Sequence, residues 1–233
     1  MPRTRPPDRL AQLIASAIKV FTTRGYRRTQ MADVAREMGV SPGTLYNYVE
    51  SKEALFHLLI ERAFHKGHSV PPANLPLPTP PPEATLQLLR ERLATEATFP
   101  RLDAALARQR VTNVRAELEG VVRELYSLVA GNYHASALIE RSALDWPELA
   151  AVWFGELRRS ILQRLTQYLE RRIERGHFRP VPDAPTAARL ILEVVAWFAW
   201  HRHEDVFSQI DDKLAEETTV HFVVSTLLRE EPP

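Results

Sequence analysis

Residues 39–52 read GVSPGTLYNYVESK, and their order decides how the first third of the chain folds. Gly39 supplies the left-handed backbone of a tight turn, Ser41 is a helix cap, and Pro42 suits the first helical position, where a missing N–H costs nothing. In a helix beginning at Pro42, Leu45 and Val49 lie one turn apart and can anchor one face. The opposite face is then left to Gly43, Thr44, Asn47 and Tyr48, with Tyr46 to one side. These residues offer hydroxyls, an amide and aromatic rings, with no acidic group among them to repel a phosphate.

The neighbouring segments give this helix something to pack on. Upstream, Leu10, Leu13, Ile14, Ala17, Ile18 and Phe21 follow helical spacing and predict a first helix of about four turns, ending at Gly25. Thr29 is expected to cap a short second helix whose inner face is Met31, Val34, Ala35 and Met38. Downstream, Ser51 is expected to cap a fourth helix carrying Leu55, Leu58, Leu59, Arg62 and Phe64, fading near His68. The pattern is helix, short turn, helix.

Residues 70–82, VPPANLPLPTPPP, hold seven prolines in thirteen positions, which prohibits a helix and favours an extended segment. It reads as a spacer, with recruitment of a proline-binding partner as the alternative. Beyond it the spacing is again helical, over about 83–97, 101–111, 115–140, 147–175, 184–204 and 212–229. No sustained strand-like alternation occurs, so the fold class is all-α. The expected organisation is a helix-turn-helix domain over 1–68, including the first part of connecting helix four. A proline-rich loop follows over 69–82, and a helical ligand-binding and dimerisation domain over 83–233.

Charge separates these parts. Residues 1–68 hold 11 Lys and Arg against 6 Asp and Glu, whereas residues 69–233 hold 19 against 23. A basic first third on an acidic remainder fits a head that meets a polyanion. A surface of the type left by Gly43, Thr44, Asn47 and Tyr48 suits a recognition helix in the major groove of double-stranded DNA, where Asn pairs with an adenine edge. The amide ends of helices two and four, at Thr29 with Gln30 and at Ser51, can each take a phosphate oxygen, and Lys52 adds charge beside the second. The candidate DNA-binding set is therefore Thr29, Gln30, Ser41, Pro42, Gly43, Thr44, Tyr46, Asn47, Tyr48 and Lys52. Arg3 and Arg5 in the tail either enter a minor groove or belong to a disordered terminus.

From about Asp8 to Lys66, and within it TQMADVAREMGVSPGTLYNYVESKEALFHLLI, the chain resembles the DNA-binding domain of TetR-family transcriptional regulators. The Ala-Asp-Val-Ala of helix two, Gly39-Val40-Ser41, Gly43-Thr44-Leu45-Tyr46, the aromatic at 48 and Ser51-Lys52-Glu53-Ala54-Leu55 stand where that family has them. Pro42 departs from the Lys or small residue frequent there, which removes one possible base or phosphate contact. Val49 and Glu50 also depart from the family's usual Phe followed by a small, polar or Pro residue. The resemblance implies a homodimer, a palindromic operator, an effector pocket among the central helices, and usually repression released by a small molecule. It also implies that the last two long helices pack against their twins. The stretch ARLILEVVAWFAW is apolar almost all round and must be covered, which agrees. The expected interface residues are Leu157, Ile161, Leu165, Leu190, Val194, Trp197 and Phe198. Phe99, Tyr126, Tyr133, His134 and Trp153 are expected either to line a pocket for an apolar or aromatic small-molecule effector or to fill the core.

Other chemistry finds little footing. There are no cysteines, which rules out thiolate metal sites and cysteine nucleophiles and fits a cytoplasmic location. His65 with His68 lack an obvious third ligand, and His201 and His203, two apart on a helix, point in different directions, so no metal and no cofactor is expected. No nucleophile-elbow spacing or phosphate-cradling glycine loop occurs, so the chain reads as no enzyme. The most apolar run, 190–200, is interrupted by Glu193 and is too short to span a bilayer, so no membrane partner is expected. The alternative function is a ligand-independent DNA-binding adaptor whose C-terminal helices hold a protein partner.

Overall fold

Two glycines in left-handed geometry divide the N-terminal sequence into short helices. The computed structural model describes residues 7–64, 74–203, 205 and 209–229, so Arg3, Arg5, His65, His68 and prolines 71 and 72 lie outside the described residues. Among the described residues there is no strand, only two isolated bridges. None of their helices is long and apolar enough to cross a membrane. No group of three or more of their His, Asp and Glu side chains could hold a metal ion. The chain forms two compact units, one from residues 1–96 with 134–156, the other from 97–133 with 157–233.

In the first unit, α1 (Pro7–Arg24) stops at Gly25, whose φ is +81° and whose N–H bonds the Phe21 carbonyl at 2.8 Å. A Cβ at Gly25 would also stand 3.0 Å from the Arg141 carbonyl oxygen, so the turn and the close approach both require glycine. α2 (Met31–Met38) buries Met31, Val34 and Ala35 and ends at Gly39, at φ +69°. There the Val40 N–H reaches the Ala35 carbonyl at 3.0 Å, closing the helix end.

α3 (Pro42–Leu45) is shorter than its sequence suggests. The backbone turns over 46–48, with Tyr48 N–H on the Leu45 carbonyl at 2.8 Å. Leu45 and Val49 are nevertheless fully buried, as their spacing requires. α4 (Lys52–Ala63) is capped by Ser51, whose hydroxyl accepts from Ala54 N–H at 3.1 Å.

The described part of the proline-rich segment is an extended strap that pairs with the end of the α3 turn. Leu77 N–H donates to the Tyr48 carbonyl at 2.8 Å, and Glu50 N–H donates to the Leu77 carbonyl at 2.9 Å. Thr79 adds a bond from its N–H to Glu50 Oε2 and one from its hydroxyl to Ser51 Oγ, both 2.9 Å. α5 (Ala84–Glu96) then packs on α4. The remainder of the first unit is most of α8 (Tyr133–Ala143), α9 (Pro147–Ala150) and the first six residues of a π-helical segment, Ala151–Arg158. Arg141 Nε donates to the Thr23 carbonyl at 3.0 Å, and Asp145 Oδ1 accepts Arg27 N–H at 3.3 Å. Trp146 lies against Tyr26 and Phe56, at centroid distances of 4.5 and 5.7 Å.

The second unit holds α6 (Pro100–Ala107), α7 (Val114–Gly131), α10 (Arg159–Glu174), α11 (Ala184–Ala199) and α12 (Asp212–Leu227). The single helix expected over 115–140 breaks at Asn132, whose side-chain amide turns back to the Leu128 carbonyl at 2.8 Å. The helix expected over 184–204 ends at Ala199 and gives way to a short 3-10 turn, His201–His203.

The core of this unit is built from Leu102, Val121, Leu125, Leu165, Leu169, Phe178, Val195 and Val224, among others. Full burial of each such aliphatic or aromatic side chain stabilises by about 1.5–3 kcal/mol. Within this core lies an ion pair, Arg172 to Glu117 at 2.7 Å, with both side chains nearly inaccessible. Arg172 also donates to the Ala105 carbonyl at 2.7 Å and so ties α10 to α6 and α7.

Candidate nucleic-acid interface

Because the α3 turn rests on Leu45, Tyr48 and Val49, most of its other residues face outward. Ser41, Pro42, Gly43, Tyr46 and Asn47 are exposed, Thr44 between them is half-buried, and Gln30 is exposed at the start of α2. Tyr46 leaves 48% of its surface free, large for an aromatic residue in a packed unit. Ser41 Oγ and Thr44 Oγ1 stand 3.0 Å apart and share a hydrogen bond that fixes both hydroxyls at the helix start. A Cβ at Gly43 would meet nothing within 4 Å, so packing within the chain does not ask for glycine there. Its effect is to leave the surface flat between Pro42 and Thr44.

Two expected site residues, Thr29 and Tyr48, are placed differently from their sequence reading, and Lys52 stands beside the Ser51 cap as expected but partly engaged within the head. Thr29 is not the cap of α2: it is buried, and its hydroxyl donates to the Gly25 carbonyl at 2.7 Å, holding the turn after α1. The cap position belongs to Gln30, whose N–H donates to Asp33 Oδ2 at 3.0 Å. That bond, followed by Arg24, holds the Asp33 carboxyl below its ordinary value. Tyr48 is 5% exposed and packs inward, because the chain turns after Leu45 instead of continuing as a helix. Lys52 is half-buried; its ammonium donates to the Tyr26 carbonyl at 3.2 Å and lies 4.5 Å from the centre of the Tyr26 ring.

The five expected pocket residues are divided between the two units. Phe99 and Tyr126 are buried in the second unit's core, and Tyr126 OH donates to the Phe198 carbonyl at 3.0 Å. Tyr133 stacks on His203. His134 and Trp153 belong to the first unit, where Trp153 Nε1 donates to Glu140 at 3.2 Å. Burial lowers the His134 pKa, which favours a neutral ring.

The expected interface residues divide as well. Ile161 and Leu165 are buried core and Leu157 packs beside them, because the inner stripe of α10 already serves α6 and α11. Leu190 and Trp197 on α11 are exposed, at 60% and 42%, while Val194 and Phe198 are half-buried. Sequence spacing did not single out Phe222 on α12, which is 57% exposed. An apolar groove of about 260 Å³ runs between α11 and α12, lined by Leu190, Ile191, Val194, Phe222, Val223 and Leu227 among others.

A family model described as "Bacterial regulatory proteins, tetR family" matches residues 13–59, the helix-turn-helix with most of α1 and α4. The chain is 23% identical to the uncharacterized HTH-type transcriptional regulator YfiR of Bacillus subtilis (strain 168), over 80% of this chain and 76% of that protein. Its fold matches that of the ketosteroid transcriptional regulator KstR2 of Mycobacterium tuberculosis with a TM-score of 0.56 at 17% identity, covering 97% of this chain and 98% of the other. It matches AibR, solved in complex with isovaleryl coenzyme A and operator DNA, with a TM-score of 0.53 at 17% identity, covering 94% and 99%. The domain that holds this exposed turn therefore matches the DNA-binding domain of the TetR family of bacterial regulatory proteins.

Proposed function

We propose that the chain is a homodimeric repressor that reads a palindromic operator with the exposed run 41–47 and leaves it when a small molecule binds. The observation that carries the DNA-reading assignment is that run itself: Pro42, Gly43, Thr44, Tyr46 and Asn47 face outward while Leu45 and Val49 are buried. Asn47 and Thr44 supply base-edge contacts, and Ser41 and Gln30 supply contacts near phosphates. Tyr48 and Thr29 act behind the surface by fixing its shape. The exposed apolar residues of α11 and α12, Leu190, Trp197 and Phe222, supply the contact between copies. A two-fold dimer presents two such heads, which is why the operator is read as a palindrome.

Release requires only that an effector favour a dimer state unsuited to the operator; a coupling of about 1–3 kcal/mol per site is sufficient. AibR holds isovaleryl coenzyme A together with operator DNA, which makes acyl-coenzyme A thioesters the first class to screen. The ligand-independent adaptor remains the second reading, favoured by the burial of Phe99 and Tyr126 in a filled core. The docking of Leu77 and Thr79 on the α3 turn argues against the described part of the proline segment as its bait.

Selection of bound duplexes from a random library tests the proposal, with Gly43→Leu and Asn47→Ala beside the wild type. The expected result is a palindromic motif that is lost in the Gly43 variant and relaxed at one position in the Asn47 variant. Bulk, salt-sensitive binding with no enriched motif overturns it.

A further inference from the structure

A second cavity, of about 400 Å³, lies in the first unit between the strap and the aromatic residues that hold Trp146. One wall is the proline run 80–82 with Thr79; the other is Tyr26, Phe56 and Trp146. Glu53 and Glu83 stand in its lining, and the lining contains no Lys, Arg or His. Nothing in DNA reading by residues 41–47 uses this space, and none of the five residues expected to line an effector pocket belongs to it.

Its chemistry is selective. The apolar lining of prolines and aromatic rings takes a hydrophobic body. The π-faces of Trp and Tyr attract positive charge. The two carboxylates add a negative charge each; Lys52 beside Glu53 and Arg90 beside Glu83 lie outside the lining. Glu53 is held ionised: its hydrogen bond to its own backbone N–H lowers its pKa, and so do the bonds from Tyr26 and Ser51. Tyr26 OH donates to that carboxylate at 3.1 Å. An anion is repelled from such a lining, and a neutral molecule gains no charge attraction from it.

We propose that this cavity is a binding site for an organic cation, a quaternary ammonium group carrying an aromatic body. Its ammonium pairs with Glu53 and Glu83, and its aromatic part lies against Trp146 and the prolines. Thr79, which forms part of one wall, also bonds Glu50 and Ser51. An occupant therefore touches the strap that holds the exit of the recognition turn.

The test is calorimetric titration of the full chain with benzyltrimethylammonium chloride, and with benzyl alcohol as the neutral comparison, at physiological ionic strength and without DNA. One saturable site per chain is expected for the cation. Glu53→Gln and Glu83→Gln should each weaken it about fivefold or more, the scale of one favourable charge contact. Glu217→Gln, on the exposed face of α12, should leave it unchanged. Circular dichroism of each variant separates lost binding from lost folding. No saturable binding, equal binding of benzyl alcohol, or unchanged affinity in the folded double Glu53→Gln, Glu83→Gln variant would each overturn the proposal. Because no DNA is present, its failure leaves the operator reading untouched.

Discussion

The two units hold short helices together by different chemistry, and the difference follows what each exposes. In the head, hydrogen bonds to backbone groups do much of the positioning: Asp33 on Gln30, Thr29 on Gly25, Ser51 on Ala54, and the strap on both sides of Val49. In the second unit an extended apolar core surrounds one buried ion pair. The head shows a polar run containing one exposed aromatic, whereas α11 and α12 expose Leu190, Trp197, Leu214 and Phe222. A surface that meets DNA must keep its hydrogen-bonding groups in register; one that meets another apolar face needs area.

The largest break should come from Arg172→Ala. Glu117 is buried on the same bond and keeps only the half-exposed Arg108 and the Tyr168 hydroxyl as partners, so removing the guanidinium should cost about 3 kcal/mol. Urea unfolding should show that loss, and Arg172→Met combined with Glu117→Leu should recover much of it. If the single substitution costs no more than an exposed pair, about 0–1 kcal/mol, the contrast between the units is wrong.

Next comes Leu190→Asp, which places a charge on the most exposed large side chain of α11. It should leave thermal stability of the protomer nearly unchanged and weaken self-association by about thirtyfold, as expected for losing about 2 kcal/mol of apolar burial. Sedimentation at a series of concentrations measures it; an unaltered association state removes α11 from the proposed interface.

Gly39→Val follows, at about 1–2 kcal/mol, because φ is +69° and a β-branched side chain is strained there whatever the space. Operator affinity should fall with head stability, since Gly39 sets where α3 begins. Ser51→Ala should cost about 1 kcal/mol through loss of the α4 cap, and it also removes the acceptor of the Thr79 hydroxyl.

These sites also mark what was legible in the sequence. Gly39, Ser51 and the spacing of Leu45 and Val49 act within a few residues, so local rules reached them. The α3 periodicity, extended past its end, puts Tyr48 on the outward face. Its carbonyl instead bonds Leu77, inside a proline segment that carries no local pairing signal. Trp146 packs on Tyr26 and Phe56, far away in sequence, and Arg172 finds Glu117 across two helices. Periodicity identified the buried face of α10 and the apolar excess of α11, but only packing determined which apolar residues α6 and α7 would cover.

The smallest effect concerns Asp33, which is also the sharpest probe of the head's hydrogen-bonded design. Its carboxyl is lowered chiefly by the Gln30 N–H, then by Arg24 and Arg36, so the folded head favours the charged form. A group whose folded pKa is depressed contributes stability that is present above its ordinary value of 3.8 and is lost as the pH falls through the folded value. Asp33→Asn keeps an acceptor for the Gln30 N–H but carries no charge. Wild type and variant should therefore differ in stability at neutral pH and converge as the pH is lowered below 3.8, measured by urea midpoints across that range. A constant gap down to the acid limit would mean that the Asp33 charge is solvated in the folded head. The Gln30 bond would then act through geometry alone.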